Sequence, residues 1–68
     1  MKTYMTAKLE TINGKPFLKM NHYYNGEMWL EDIARVYDTK GTPYIRRMSE
    51  KMHLTPALLR GETEVYSA

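Results

Sequence analysis

Residues 29–54, WLEDIARVYDTKGTPYIRRMSEKMHL, decide which fold the sequence predicts. Apolar residues recur three and four positions apart in this stretch, which is the spacing of one face of an amphipathic helix. The spacing predicts two short helices separated by a tight turn at Gly41. The apolar face of the first helix would consist of Trp29, Leu30, Ile33, Val36 and Tyr37.

The second helix is predicted to begin at Thr42, a good N-cap residue, with Pro43 in its first turn because proline has no amide hydrogen to leave unpaired. Its apolar side would consist of Ile45, Met48 and Met52. The opposite side carries arginines, so the outward face of this helix is expected to be basic.

A helix, a short glycine turn and a helix with exposed arginines are typical of a helix-turn-helix, whose second helix enters the DNA major groove. An ordinary helical hairpin with a solvated basic face remains the alternative. In the helix-turn-helix interpretation, the DNA-binding residues lie on and just before the second helix. They are Lys40, Thr42, Tyr44, Arg46, Arg47, Glu50 and Lys51.

The predicted roles of these side chains follow from their chemistry. Arg46 and Arg47 would contact base edges or phosphates, and Lys40 and Lys51 would contact phosphates. Glu50 would either hold the arginine side chains or accept a hydrogen bond from a cytosine amine.

The N-terminal part of the sequence predicts antiparallel strands. Residues 3–12 alternate so that Met5, Ala7 and Leu9 share one side, and residues 17–24 form a second strand. Asn13-Gly14 between them is a typical type I′ turn. A second Asn-Gly pair at 25–26 either adds a brief third strand at 27–29 or leads directly into the first helix.

Toward the C-terminus, Thr55-Pro56 predicts a short third helix that Gly61 would end. Residues 62–68 would form a tail or an edge strand. The predicted fold class is therefore α+β: one domain over residues 1–68, with an antiparallel hairpin or three-stranded sheet in 3–29 and a helix-turn-helix-like pair plus a short helix in 29–61.

Composition narrows the classes of function. The 68-residue chain has no cysteine and no Cys/His cluster, so we expect no metal and no cofactor. His22 and His53 have no neighbouring nucleophile in sequence, so we expect no enzyme. Without a disulfide or a structural metal, the core of so small a domain is only weakly stable, and a homodimer would supplement it. No apolar run of about 18 residues occurs, so we expect a cytoplasmic protein without a membrane span.

The formal net charge of +2 is unevenly distributed. Residues 39–60 carry five basic residues and one acidic residue, whereas the remaining sequence is net negative. Basic charge concentrated in the second predicted helix and its flanks favours a nucleic-acid partner.

The order of elements also resembles the start of the KilA-N type of phage DNA-binding domain. The resemblance is carried by Asn25, Gly26, Leu30, Asp32, Ile33 and Ala34. It implies a small phage or plasmid transcription regulator that binds duplex DNA.

Two functions therefore compete. The first is a sequence-specific duplex DNA-binding regulator with residues 43–53 as its recognition helix. The alternative is a small phage-type protein that inhibits or recruits a host protein through its sheet and its exposed aromatic residues, because tyrosine and methionine suit protein interfaces.

Overall fold

The computed structural model describes residues 2–47 and 49–67. Within these residues the chain forms seven strands and one short helix. The elements are β1 Thr3–Ile12, β2 Lys15–Tyr24, β3 Glu27–Arg35, β4 Tyr37–Thr39, β5 Thr42–Arg47, β6 Glu50–His53, α1 Pro56–Leu59 and β7 Glu64–Ser67.

The strands form two antiparallel sheets. The first has the order β3-β2-β1-β7 and the second has the order β4-β5-β6. Val36 alone separates β3 from β4, and its amide donates a hydrogen bond to the Pro16 carbonyl at 3.2 Å. This bond extends the β2–β3 ladder by one position, so the chain passes from one sheet to the other at Val36.

Tight turns join β1 to β2, β2 to β3 and β4 to β5. Both central residues of each turn have positive φ: 52° and 77° at Asn13-Gly14, 49° and 82° at Asn25-Gly26, and 57° and 75° at Lys40-Gly41. This backbone matches the right-handed twist of paired strands, which is why it is common in two-residue hairpins. The predicted Asn13-Gly14 hairpin turn is confirmed.

The strands predicted at 3–12 and 17–24 are also confirmed. Ala7 on β1 is buried beside Leu18 and Met20 of β2. Met5 and Leu9 share the Ala7 side of β1 and pack at the edge of this cluster. The alternation of apolar residues thus gives the first sheet one face that packs into the core.

The predicted first helix is wrong, because its residues form β3 and the start of β4. Asn25-Gly26 turns the chain back against β2, whose outer edge is free to pair with all of Glu27–Arg35. Sheet pairing overrides the helical spacing, and the β-branched and aromatic residues of this stretch suit a strand. The expected inner residues Trp29, Leu30 and Ile33 are 64%, 43% and 45% exposed.

The predicted second helix is wrong as well. Its described residues form mainly β5 and β6, which pair so that Tyr44 lies opposite His53 and Ile45 opposite Met52. Thr42 is the first residue of a strand rather than a helix cap. Met48, expected on the apolar side, lies outside the described residues. The fold is therefore two antiparallel sheets and not an α+β helix-turn-helix fold.

The core lies between the inner face of the first sheet and residues from the second sheet and α1. Ile45 of β5 is 2% exposed, and Leu54, Leu58 and Val36 complete the cluster. Residues of both sheets and of α1 also line a cavity of about 400 Å³ that is partly open to solvent.

The C-terminal segment closes the first sheet. The Leu58 amide donates a hydrogen bond to the Thr55 hydroxyl at 3.3 Å, which confirms the predicted capped helix over Pro56–Leu59. Gly61 follows with φ of 87°. Residues 64–67 then pair with β1, so the edge-strand alternative, rather than the tail, describes this segment.

Candidate functional site

Two tyrosines form the centre of a surface on the second sheet. Tyr37 of β4 lies directly opposite Tyr44 of β5, and directly paired residues point to the same side of a sheet. Their rings are stacked, with centroids 5.6 Å apart and planes inclined by 23°. Tyr44 is only 6% exposed, whereas Tyr37 is 38% exposed. Tyr44 therefore serves as a buried support for Tyr37.

Three cationic side chains lie over these rings. The guanidinium carbons of Arg35 and Arg46 are each 5.5 Å from the centre of the Tyr37 ring. The Lys51 ammonium is 5.0 Å from the centre of the Tyr44 ring. Each such contact is worth about 0.5–1 kcal/mol at an exposed site. The rings therefore hold the cations in place while leaving their charge at the surface.

His53 completes this surface. It lies opposite Tyr44 in the β5–β6 ladder, with ring centroids 6.1 Å apart and the rings edge to face. We call this surface the basic face. Its residues are Arg35, Tyr37, Tyr44, Arg46, Lys51 and His53.

The basic face carries one sign of charge. Asp38 and Glu50 alternate along their strands with Tyr37 and Lys51, so their side chains point to the other side of the sheet. Within the described part of the chain, Arg35, Arg46 and Lys51 form no ion pair. The face therefore presents three formal positive charges without a neutralising carboxylate.

The structure brings together part of the predicted DNA-binding set. Tyr44, Arg46 and Lys51 belong to the basic face, and the exposed Thr42 lies on the same side of β5. Lys40 occupies the neighbouring β4–β5 turn.

Two of the predicted residues lie elsewhere. Arg47 and Glu50 are opposite each other on the other side of the hairpin. Arg47 forms a partly buried ion pair with Asp32 of β3. This contact joins the two sheets, so Arg47 has a structural role. Glu50 does not hold Arg46 as it would across one helical turn.

Sequence reasoning missed three members of the basic face: Arg35, Tyr37 and His53. Each of them is either two positions along the chain from another residue of the face or directly opposite one on the neighbouring strand. Residues related in these ways point to the same side of a sheet. A search for alternating basic and aromatic residues would have found the pairs 35/37, 44/46 and 51/53. The helical interpretation concealed this pattern because it placed alternate residues on different sides.

A polar cluster of a different kind joins α1 to β7. The hydroxyls of Thr55 and Tyr66 both donate hydrogen bonds to the Glu64 carboxylate, and they lower the pKa of Glu64. The accepting carboxylate and partial burial raise the pKa of Tyr66 to about 12. Because the same Thr55 hydroxyl caps α1, this cluster fixes the helix to the edge strand.

Other kinds of site find no support among residues 2–47 and 49–67. No group of three or more histidine, aspartate or glutamate side chains is placed to hold a metal ion in this part of the chain. In the same residues, no helix has the length and apolar character needed to cross a membrane.

Comparison of the chain with protein families, with curated proteins and with solved structures gives no match. Function is therefore inferred from the chemistry of the surface.

Proposed function

We propose that this protein binds nucleic acid by contacting the phosphate backbone with its basic face. The observation that carries the proposal is the set of three cations held over two stacked tyrosines, and none of these cations forms an ion pair among the residues that the structure describes. Phosphate attraction requires such a surface, because lysine and arginine contacts supply most of the affinity for nucleic acid.

The spacing of the cations supports this function. Arg35 and Arg46 lie over the same Tyr37 ring, so their guanidinium carbons are separated by at most twice 5.5 Å. Two charges so close together suit contacts with neighbouring phosphates of one backbone. Guanidinium groups also bind phosphate oxygens through two parallel hydrogen bonds.

The expected mode of recognition differs from that of a helix-turn-helix. The basic face lies on a β-sheet, and phosphate contacts position a protein without reading the base sequence. We therefore propose binding with little dependence on sequence through this face. Held in place by the tyrosines, the arginines and Lys51 lose less side-chain freedom when they bind.

The proposal is tested by the affinity for a fluorescently labelled oligonucleotide across about 50 to 200 mM salt. The double variant Arg46→Ala, Lys51→Ala should bind more weakly at every salt concentration. The slope of its log affinity against log salt should become shallower by about one for each phosphate that the variant no longer neutralises. Circular dichroism checks that the variant is folded.

The matched control is Lys8→Ala, Lys15→Ala, which removes the same charge from exposed positions of the first sheet. This variant should keep most of the affinity. If both double variants weaken binding equally, the effect depends only on net charge. If the folded Arg46/Lys51 variant keeps its affinity, the basic face is not the binding surface.

A second function, binding of a host protein, is favoured by an apolar strip on β3. Met28 and Ile33 are 52% and 45% exposed on the outer side of β3, Trp29 in the same strand is 64% exposed, and β3 lies at an edge of the first sheet. Clustered exposed apolar side chains are typical of protein interfaces.

The test is a stoichiometric partner captured after nuclease treatment and in high salt, conditions that remove phosphate-driven binding. Replacing Met28 and Ile33 by serine should abolish this capture and leave binding of oligonucleotides intact. If the serine variant still captures the partner, the apolar strip is not the surface that binds it.

A further inference from the structure

A second feature of the surface is an aromatic cavity of about 290 Å³ at one end of the first sheet. Five of the residues that line it carry a ring. Three of these, His22, Trp29 and Tyr66, come from β2, β3 and β7, and the other two, Tyr4 and Tyr23, come from β1 and β2. This is a high concentration of planar groups for a chain of 68 residues.

Local sheet geometry sets the walls of the aromatic cavity. His22 and Tyr66 are both paired with Met5 of β1, so their side chains share one face of the sheet. The stacked pair Tyr4 and Tyr23, with ring centroids 4.7 Å apart and planes inclined by 9°, lies on the other face. On the β2–β3 side the register shifts between His22 and Tyr23, which leaves Trp29 as the extra residue of a β-bulge. Bulges redirect side chains, and this one places the Trp29 ring 5.8 Å from the His22 ring.

Two of these residues are unusual for a structural cluster. Trp29 remains 64% exposed although it is the only tryptophan of the chain. The Nε2 atom of His22 is buried and has no hydrogen-bond partner in the described part of the chain. A buried polar atom without a partner is destabilising, so such atoms call for an explanation in a native structure. A ligand that stacks on Trp29 and hydrogen bonds to His22 would account for both.

We infer that the aromatic cavity takes a base of a single-stranded nucleic acid, which stacks on the exposed Trp29 ring and hydrogen bonds through its edge to His22. The inference rests on the proposed function, since the basic face would hold the phosphates of the same strand. Bases offer both a flat π-surface and in-plane hydrogen-bonding groups. Proteins that bind single strands combine aromatic platforms with cationic grooves for this reason.

The two surfaces lie close enough for one strand to contact both. Met5 and Tyr66 line the aromatic cavity and also the cavity between the sheets. His53, which belongs to the basic face, lines that second cavity too. The longest dimension of the molecule is 41 Å, so a strand of about ten nucleotides, within the range for one small binding domain, can span the distance.

The test compares two labelled oligonucleotides of equal length and charge: a thymidine strand and an abasic strand that has the same backbone but no bases. The thymidine strand should bind roughly five- to thirtyfold more tightly, the range that about one to two kcal/mol of stacking produces. The fluorescence of Trp29 should be quenched by the thymidine strand and unchanged by the abasic strand.

Single substitutions test which residues cause the preference for the thymidine strand. Trp29→Ala, at an exposed position, should remove the preference for the thymidine strand while leaving affinity for the abasic strand unchanged. Met28→Ala, at the neighbouring exposed position, serves as the control and should keep the preference. His22→Ala should weaken thymidine binding in a protein that remains folded by circular dichroism.

The outcomes separate the inference from the proposed function. Equal affinity for both strands, reduced by Arg46→Ala, Lys51→Ala, would overturn the base site and leave the basic face supported. A thymidine preference that depends on Trp29 but is insensitive to Arg46 and Lys51 would support the base site and exclude the basic face. Binding of neither strand would overturn both and favour the protein-partner alternative.

Discussion

At the scale of single residues, burial separates side chains of the same type. Ile45 is 2% exposed in the core, whereas Ile33 of β3 is 45% exposed. Helical spacing predicts Ile33 in the core, and its position on the outer side of an edge strand shows why that prediction is wrong. These two isoleucines therefore form a natural pair for comparison.

We expect Ile45→Ala to lower the free energy of unfolding by about 2–5 kcal/mol, because it leaves a cavity in a small core. Ile33→Ala should cost less than about 1 kcal/mol, as is usual for exposed positions. Urea denaturation measures both values. A larger loss for Ile33 than for Ile45 would contradict the observed burial.

Glu64 and Tyr66 predict how stability depends on pH. The lowered pKa of Glu64 means that its stabilising effect is present above its ordinary value of 4.5 and is lost as the pH falls through the lower folded-state value. Tyr66 behaves in the opposite way. Its pKa is raised from 10 to about 12, so its stabilising effect is complete below pH 10 and is lost toward pH 12.

The melting temperature should therefore decline toward both acid and alkaline pH. Substitutions at Glu64 and Tyr66 should show which residue causes each decline. Glu64→Gln should flatten the acid decline, and Tyr66→Phe should flatten the alkaline decline between pH 10 and pH 12. Thermal melts followed by circular dichroism provide the measurement. An alkaline decline unchanged in Tyr66→Phe would show that another group causes it.

At the scale of elements, the turns control which strands pair. Asn-Gly occupies the β1–β2 and β2–β3 turns, but Lys40-Gly41 places a lysine at φ of 57° in the β4–β5 turn. Left-handed backbone costs most residues about 1–2 kcal/mol and costs asparagine less. The β4–β5 hairpin, which carries part of the basic face, therefore has a turn that is not optimal.

Lys40→Asn should raise the free energy of unfolding by about 0.5–1 kcal/mol, since it gives this hairpin the same turn as the other two. Lys40→Ala is the control, because it removes the same charge without favouring positive φ. Urea denaturation distinguishes them. An equal gain in both variants would attribute the effect to the lost charge.

Pairing between strands also explains why the predicted first helix is a strand. A segment such as WLEDIARVY has apolar residues at helical spacing, yet alternate residues Asp32, Ala34 and Val36 point inward on a strand. Local sequence supports both structures about equally. The free edge of β2 decides between them, because pairing there satisfies the backbone hydrogen bonds of the whole segment.

At the scale of the whole molecule, stability is expected to be uneven. Both β1 and β2 are paired along two edges, whereas β6 and β7 are short strands at the edges of their sheets. A chain of this size buries only about 60% of the surface exposed on unfolding, and the cavity of about 400 Å³ further reduces packing between the sheets. Local opening should begin at the edges.

Amide hydrogen exchange should show this order. Amides in the centres of β1 and β2 should exchange most slowly, at rates set by global unfolding, and those of β6 and β7 should exchange faster. Residue-resolved exchange followed by NMR provides the measurement. Protection in β6 equal to that in β1 would indicate that the two sheets open as one unit.

The features that depend only on residues close together in the sequence were predictable from it. The Asn13-Gly14 turn, the alternation of β1 and the capped helix after Thr55 were predictable because local backbone preferences and hydrogen bonds fix them. The formation of strands at Glu27–Arg35, Tyr37–Thr39, Thr42–Arg47 and Glu50–His53 was not predictable in this way, because a strand depends on hydrogen bonds to distant partners, whereas a helix would pair these residues locally. Only the tertiary structure decided the basic face, since Arg35, Arg46 and Lys51 meet only when three strands lie side by side.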